Sequence, residues 1–518
     1  MSNPAETPSQ GLEHTLGRQF RWYNIVMIFA MSMGSILIGY ANSVIGTALA
    51  QPSFILSMGL DHKSNAKELI GMTNSLFQTG GVIGCLLTPT ICDHWGRRLG
   101  IAAPTLLAII ASACLAGSTN IEMFIAFRFI CGVAVFSINS AIPVWMTEVA
   151  PPSKRGTFVD IHNFSIMIGY AAATWTGIGF YHVNTSNNTQ WRAQFAFNCL
   201  PGLLLLIFLI WIPESPRWLT IRGHVDEAQK VLQRLHTPAE ASVELIQIQQ
   251  QMEVERELRN SYWAIVTTPS YRKRALMAAG TTLSVQMAAP LVMNNYGPTL
   301  YATLGFDTNQ QLLYAGGWIL TAMGGALGLF LYADKVPRPV LLSGGLLICE
   351  VCFSIEAALI AKYATTAESL ANPNASALKA AVAVIYVYIL LFELSLGGTQ
   401  FVYCSEIFPT HLRTKGMAIS IAAQSAINIL WLQVAPVAFS TIGWKFFLCF
   451  ICPGTLASIL IYLVFPDTLG VPLEAINELF GDTTVAASSC DSLRAEDGAP
   501  TDQERHSKDT GYTHVEVH

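Results

Sequence analysis

The chain has 518 residues, of which 52% are hydrophobic and only 12% are charged, and its formal net charge is −5. Soluble globular proteins carry about 25% charged residues, so soluble domains with this little charge could not cover their surfaces. The composition also excludes a disordered chain, a nucleic-acid-binding protein and a small disulfide-stabilised scaffold. What remains is a protein that crosses a membrane many times.

Apolar stretches of about 20 residues, the length needed to cross a bilayer, recur after a polar amino-terminal tail, residues 1–22. No cleavable signal peptide is expected, because the apolar run that follows the tail is too long for one. The pattern predicts an all-α membrane protein with twelve transmembrane helices, six on either side of a polar centre. The first six predicted spans are 23–45, 69–91, 99–118, 121–146, 157–181 and 195–212. The second six are 276–302, 311–333, 340–362, 379–403, 416–438 and 446–465.

The remaining segments of the chain are polar. Residues 213–275 separate the two halves, 23–212 and 276–465, and their helical periodicity predicts a cytoplasmic helical linker. Residues 466–518 form a cytoplasmic carboxy-terminal tail. It is predicted to be mostly disordered after Phe480, because that part is rich in Ser, Asp and Glu.

The positive charges orient the chain in the membrane. If both termini are cytoplasmic, the cytoplasmic segments hold 22 of the 29 Lys and Arg residues, the outer loops hold six, and one lies within a span. This asymmetry agrees with the positive-inside rule. The sequons at Asn184, Asn187 and Asn374 then fall in outer loops, which predicts their glycosylation in a protein of the plasma membrane.

Charged clusters lie where the predicted spans meet the cytoplasm. The string Asp93-His-Trp-Gly-Arg97-Arg98 follows span 2, and Asp334-Lys-Val-Pro-Arg338 follows span 8. Spans 4 and 10 are likewise followed by acid–base strings, and spans 6 and 12 by strings that begin Pro-Glu and Pro-Asp. Six clusters at matching places indicate an internal duplication of six-span halves. Acids and bases on neighbouring helix ends can pair across the bundle and hold its inner face shut.

These strings resemble the sugar porter family of the major facilitator superfamily, in a form typical of fungi. The most specific are PVWMTEVAPPSKRG at 143–156, PESPRWL at 213–219 and the string Glu406–Gly416. The resemblance covers residues 23–480 and implies two pseudo-symmetric six-helix bundles, a midplane substrate site and a cytoplasmic gate. The gating residues that it assigns are Asp93, Arg97, Arg98, Glu148, Arg155, Glu214, Arg217, Asp334, Arg338, Glu406 and Arg413.

The family binds sugars through amide side chains and aromatic rings that face a central cavity. Here Val285 replaces one of two glutamines, and the strings Gly398–Phe401 and Gln424-Ser425 lack the family's tryptophans. A hexose still fits this pattern, and so does a larger or less hydroxylated substrate. Each lone amide could instead form a helix–helix hydrogen bond. The candidate substrate-binding residues are Asn163, Gln286, Asn294, Asn295, Glu393, Phe401, Gln424 and Asn428.

Span 1 carries the clearest departure from the family. Where proton-coupled members have Gly-Tyr-Asp, this chain has Gly39-Tyr40-Ala41, and neither Ala41 nor Asn42 can titrate. The sequence therefore favours facilitative uniport over proton symport, although Glu393 remains as an acid within span 10. Arg128, matched to a family position near the inner end of span 4, is expected to pair with an acid rather than lie alone.

The resemblance implies a transporter of a carbohydrate, whether hexose, disaccharide or polyol, that works by alternating access as a monomer in the lipid bilayer. Two alternatives stay open: an exporter of a secondary metabolite or drug, and a non-transporting sugar receptor on the same fold. An enzyme is not expected, because the sequence contains no metal-ligand set, nucleotide loop or nucleophile–base pattern. No cofactor, metal or nucleic-acid partner is expected, and the small-molecule partner is expected to be a sugar.

Overall fold

In a computed structural model, nearly all the described residues are helical, and helices follow all twelve predicted spans. The predicted all-α membrane fold is confirmed. The amino-terminal tail up to residue 21 and the predicted disordered tail from residue 481 lie outside the described residues. The structure describes residues 22–149, 155–183, 188–235, 238–256, 261–329, 331–332, 335–365, 374–409, 411–469, 471, 476 and 479–480.

The twelve helices are numbered α1 to α12 in chain order. In the described part of the chain, eleven are long and apolar enough to cross a membrane. The other, α5, has 27 residues and packs against α1 of its own half and α8 of the other half. The first half contains α1 (Trp22–Leu49), α2 (Ala66–Trp95), α3 (Arg97–Ala116), α4 (Ile121–Val149), α5 (Arg155–Tyr181) and α6 (Thr189–Leu209). The second half contains α7 (Pro269–Thr303), α8 (Thr308–Leu329), α9 (Arg338–Tyr363), α10 (Ala375–Glu406), α11 (Arg413–Thr441) and α12 (Gly443–Val464).

Two helices of the second half are interrupted near their middle. In α7 a tight 3-10 turn, Gln286–Ala288, is followed by Ala289 in the left-handed conformation, at a φ of 51°. Pro290 then begins a new helical segment, which suits proline because the first turn needs no donor from it. In α10 a wide π-helical turn spans Glu393–Gly397. Such interruptions free backbone groups within a span and are frequent at functional sites.

Glycines allow the helices of the first half to approach closely. A Cβ placed on Gly132 of α4 would lie 2.0 Å from the backbone oxygen of Phe77, and one on Gly80 of α2 would lie 2.3 Å from that of Phe129. Neither helix could carry a side chain there without moving apart. Small residues at helix contacts are the usual way in which membrane helices pack, because lipid provides little hydrophobic force between them.

In the described part of the segment between the halves, for which the sequence predicts a helical linker, the structure has four shorter helices. Their own small core consists of Leu219, Ala228, Leu232, Ala241 and Leu245. The periodic stretch Val225–Leu235 is one of these helices. The four are Pro216–Ile221, Val225–Leu235, Pro238–Arg256 and Tyr262–Thr267.

Candidate functional site

The charged clusters gather at one end of the helices, here called the charged end. In the first half Arg97, at the start of α3, donates from Nη2 to Glu148 Oε1 at 2.7 Å and from Nε to Oε2 at 2.9 Å. The Arg97 side chain is only 6% exposed and that of Glu148 only 10%. A paired, two-point contact of this kind offsets the cost of removing both charges from water.

Glu214, which follows α6, caps the first turn of α3. Its carboxylate accepts the backbone N–H groups of Arg97 at 2.9 Å and Arg98 at 3.1 Å. The preceding Gly96 has a φ of +94°, and a Cβ there would lie 2.5 Å from Glu214 Oε2. A carboxylate at a helix amino terminus is favoured by the unpaired N–H groups and the helix dipole. Glu214 therefore ties the end of α6 to the start of α3.

The second half repeats this arrangement. Arg338, at the start of α9, lies 3.3 Å from Glu406 at the end of α10. Asp467, after α12, accepts the backbone N–H of Arg338 at 3.0 Å, and Thr468 Oγ1 donates to Glu406 Oε2 at 2.6 Å. The set Arg338, Glu406 and Asp467 is thus the counterpart of the set in the first half. Asp467 was missing from the predicted gating residues, although its Pro-Asp string was visible in the sequence.

Both arginine–glutamate pairs join helix ends within one half. A contact that does cross between the halves is Lys415 Nζ of α11 with Asp93 of α2, at 3.6 Å. The Tyr262 hydroxyl, on the last linker helix, also donates to the backbone oxygen of Leu86 in α2 at 2.9 Å. Closure of the charged end therefore involves Lys415, which is not among the gating residues predicted from the sequence.

For the other predicted gating residues we describe mainly their positions in the helices. Arg155 begins α5, Arg413 begins α11 and Arg217 lies in the short helix Pro216–Ile221. The Arg98 guanidinium donates to the backbone oxygen of Leu209 at 2.9 Å. Asp334 lies outside the described residues.

Uncharged hydrogen bonds join the halves at the opposite end of the helices. Gln433 of α11 accepts from Ser75 Oγ at 2.6 Å and donates to the backbone oxygen of Glu68 at 3.2 Å. The neighbouring Asn74 donates from Nδ2 to the Tyr296 hydroxyl of α7 at 2.9 Å. The two halves therefore contact each other at both ends of the helices.

Arg128 of α4 does not have the expected acidic partner. Its guanidinium donates to the backbone oxygens of Ala41 at 3.0 Å and Thr73 at 3.3 Å and to Asn74 Oδ1 at 3.4 Å. It also lies 4.1 Å from the centre of the Phe77 ring. Among the described residues no carboxylate contacts it, so the expectation of an acid was wrong. Its position was also mispredicted, because Arg128 lies in the part of α4 that is nearer the opposite end.

Four of the eight predicted substrate-binding residues are buried, and the others are partly buried. Gln286 Nε2 and Asn295 Oδ1 have no hydrogen-bond partner among the described residues, and the same holds for Asn294 Oδ1. Such groups cost free energy unless something pairs with them. The buried residues are Gln286, Asn295, Glu393 and Asn428, and the partly buried ones are Asn163, Asn294, Phe401 and Gln424.

The two interruptions described above position Gln286 and Glu393. Gln286 begins the 3-10 turn of α7, whose Ala288 oxygen accepts the Tyr388 hydroxyl of α10 at 2.5 Å. Glu393 begins the wide turn of α10 and folds over Gly397, where a Cβ would lie 2.2 Å from its Oε2. Ser425 and Gln400 also bury unpartnered oxygens, and both stand in strings that the sequence marked as altered.

Among the predicted glycosylation sites, the structure describes Asn374 alone. It is exposed and caps α10, because its Oδ1 accepts the backbone N–H groups of Ser376 at 3.1 Å and Ala377 at 3.2 Å. Asn184 and Asn187 lie outside the described residues.

Residues 27–480 match the family described as "Sugar (and other) transporter". The chain belongs to this family. The resemblance to sugar porters of the major facilitator superfamily is therefore confirmed, and this sugar transporter family member is a multi-pass membrane protein rather than an enzyme.

Among three curated relatives of this family member, two have a substrate in their names. It is 29% identical over 457 residues to "MFS-type transporter criB" of Aspergillus cristatus, and the match covers 86% of this chain and 91% of the relative. It is 27% identical over 492 residues to the "High-affinity glucose transporter" of Kluyveromyces lactis, with coverage of 90% and 86%. It is also 27% identical over 484 residues to the "Quinate permease" of Neurospora africana, with coverage of 90% of each chain.

Solved structures confirm the fold. The partially occluded inward-open xylose transporter XylE of E. coli matches with a TM-score of 0.73 and 22% identity, covering 87% of this chain and all of XylE. XylE bound to 6-bromo-6-deoxy-D-glucose matches with the same TM-score and 23% identity, over 88% of this chain and 99% of that one.

Proposed function

We propose that this chain carries a hexose, disaccharide or polyol across the plasma membrane by alternating access, as a facilitative uniporter. The charged end faces the cytoplasm, and the monomer is the working unit. The observation that supports this most directly is the pair of buried, unpartnered amide atoms, Gln286 Nε2 and Asn295 Oδ1, in and beside the interruption of α7. An amide donor and an amide acceptor together suit the hydroxyl groups of a sugar, which both accept and donate hydrogen bonds.

The proposal of uniport is based on the chemistry of α1. A proton-coupling site needs a group that changes charge as its exposure alternates. Ala41 offers only its backbone oxygen, which accepts from Arg128, and Asn42 Nδ2 donates to the backbone oxygen of Ile38 at 2.9 Å. We expect uptake to continue, without accumulation above the outside concentration, when a protonophore is added. Accumulation that collapses with the protonophore would contradict uniport.

The experiment that tests the proposed activity is uptake by yeast lacking its own hexose carriers. The chain is expressed there and offered a panel of labelled hexoses, disaccharides and polyols. We expect saturable uptake of at least one, with a half-saturating concentration that Gln286→Ala raises about tenfold, the effect of losing one or two hydrogen bonds. The control is Gln310→Ala, because Gln310 lies exposed at the start of α8. Unchanged kinetics in Gln286→Ala would assign Gln286 a purely structural role.

A second candidate substrate is a hydroxylated carboxylic acid. It is favoured by Arg128, whose buried positive charge contacts, among the residues that the structure describes, only neutral oxygens and one ring. A buried cation without a counter-charge is costly, and a substrate carboxylate would supply one. A relative named as a quinate permease transports such an acid. Labelled quinate therefore belongs in the panel, and uptake of quinate that Arg128→Gln abolishes while hexose uptake persists would support this candidate.

The exporter and receptor alternatives give different results in the same cells. An exporter would move labelled compound out of preloaded cells without carrying it in. A receptor would bind without moving label in either direction.

A further inference from the structure

A small cavity lies between the two halves, nearer the opposite end than the predicted substrate site. It is lined by Ser43 and Thr47 of α1, by Thr174 of α5, by Asn294 and other residues of α7, and by Trp318 of α8. These residues come late in α1, α5 and α7 and at the middle of α8, whereas the charged-end residues lie at the other ends of the helices. Asn294 alone is shared with the predicted substrate-binding residues.

Two of the lining residues bring one unpaired acceptor and one unpaired donor. Asn294 Oδ1 and Trp318 Nε1 are both buried, and neither has a hydrogen-bond partner in the part of the chain that the structure describes. Trp318 is only 6% exposed. The threonines differ, since Thr47 Oγ1 bonds to Gln194 Oε1 at 2.8 Å and Thr174 Oγ1 donates to the backbone oxygen of Tyr170 at 3.0 Å. Among the described side chains of the lining, Asn294 Oδ1 and Trp318 Nε1 are thus the buried atoms that lack a hydrogen-bond partner.

We propose that this cavity is an outer subsite for a hydroxyl group of the transported substrate. A hydroxyl can accept the indole N–H of Trp318 and donate to Asn294 Oδ1, so it satisfies both groups at once. The cavity has room for a group the size of one water, about 10 Å³, which is the size of a hydroxyl group. This proposal rests on the proposed function. It adds that the outer side of the protein selects substrates that carry a hydroxyl group.

The cavity belongs to both halves, which decides when it is available. Ser43, Thr47 and Thr174 come from the first half, and Asn294 and Trp318 come from the second half. When the halves part at the opposite end, α1 and α5 move away from α7 and α8, and the cavity opens toward the outside. When the charged end opens instead, the cavity stays closed. The subsite therefore contributes to capture from outside and not to capture from the cytoplasm.

The test compares influx and efflux of the same sugar through the full chain in carrier-deficient yeast. The probe is labelled D-glucose, or the first sugar or polyol of the panel that the wild type carries. Trp318→Phe keeps the ring and removes the N–H. We expect it to raise the half-saturating concentration for influx about five- to tenfold, the effect of one lost hydrogen bond, and to change that for efflux less than about twofold. Asn294→Ala should act in the same direction on influx.

The matched control is Trp431→Phe. Trp431 also buries an indole N–H without a partner among the described residues, but it packs on Phe450, at 4.6 Å between ring centres, and does not line the cavity. We expect it to leave influx unchanged. Wild-type influx kinetics in both Trp318→Phe and Asn294→Ala, with normal amounts of protein in the membrane, would overturn the subsite alone. A wild type that carries no compound of the panel would overturn the proposed function and the subsite together.

Discussion

Gly71 of α2 makes the closed opposite end possible. A Cβ at this position would lie 2.6 Å from the backbone oxygen of Gln433 in α11 and 3.1 Å from its Nε2. Ordinary contacts of a Cβ need about 3.5 Å or more, and a backbone oxygen cannot turn aside as a side chain can. The substitution Gly71→Ala therefore forces α2 and α11 apart by about 1 Å at this point.

The cost of that separation follows from the two hydrogen bonds of Gln433. A shift of about 1 Å takes its bonds with Ser75 and with the Glu68 oxygen beyond the usual range. Each neutral hydrogen bond contributes about 1 kcal/mol, so the closed opposite end loses about 2 kcal/mol. At 1.4 kcal/mol for each tenfold change, we expect the equilibrium to move toward the outward-open form by about 30-fold.

The assay is the rate at which a membrane-impermeant thiol reagent, added outside, labels Ser43→Cys in the cavity. The chain without Ser43→Cys gives the background from the native cysteines. We expect Gly71→Ala to raise the labelling rate at least tenfold and to slow net transport. Gly179→Ala is the matched control, because a Cβ on that glycine of α5 meets nothing within 4 Å. Equal labelling rates with Gly71 and with Ala at that position would refute the reasoning.

Two further predictions concern the charged end. Glu148→Gln leaves the buried Arg97 with Asp93, at 3.3 Å, as its remaining counter-charge, so we expect the folded protein to lose about 3 kcal/mol and to melt several degrees lower in detergent. Glu122→Gln is its control and should leave the melting temperature unchanged, because the side chain of Glu122 is 66% exposed. Lys415→Gln removes a pair with the half-exposed Asp93, so labelling of the native Cys85, which lies against Ala418 of α11, by a thiol reagent on the cytoplasmic side should rise less than about fivefold. A larger rise would mean that this single pair holds the end closed.

The sequence predicted the clusters at the charged end because they consist of acidic and basic side chains that recur at matching positions in the two halves. Arg97, Glu148 and Glu214 were selected together, and their contacts in the structure repeat in the second half. The pattern could not reveal how Glu214 acts, since its partners are the backbone N–H groups of Arg97 and Arg98. Nearly every residue has the same backbone groups, so a sequence motif cannot show which backbone N–H a side chain binds.

The same limit explains the error at Arg128. A lone positive charge within a span suggested an acid, but two of its three acceptors are backbone oxygens, those of Ala41 and Thr73. The interruption at Ala289 was equally hidden, because alanine rarely adopts a left-handed conformation. Lys415 and Gln433 were missed for a third reason. Each matters through a partner in the other half of the chain, and the repeat that guided the prediction describes each half separately.

The central claim is that this chain moves a hydroxylated substrate by alternating access. It is tested most directly by counterflow in liposomes that contain the purified protein and no ion gradient. Vesicles are loaded with an unlabelled sugar that the yeast panel identifies and are then diluted into a trace of the labelled form. The account predicts a transient accumulation of label above its equilibrium level, which is absent from protein-free vesicles. Slow equilibration without that overshoot, at the same rate with and without protein, would contradict it.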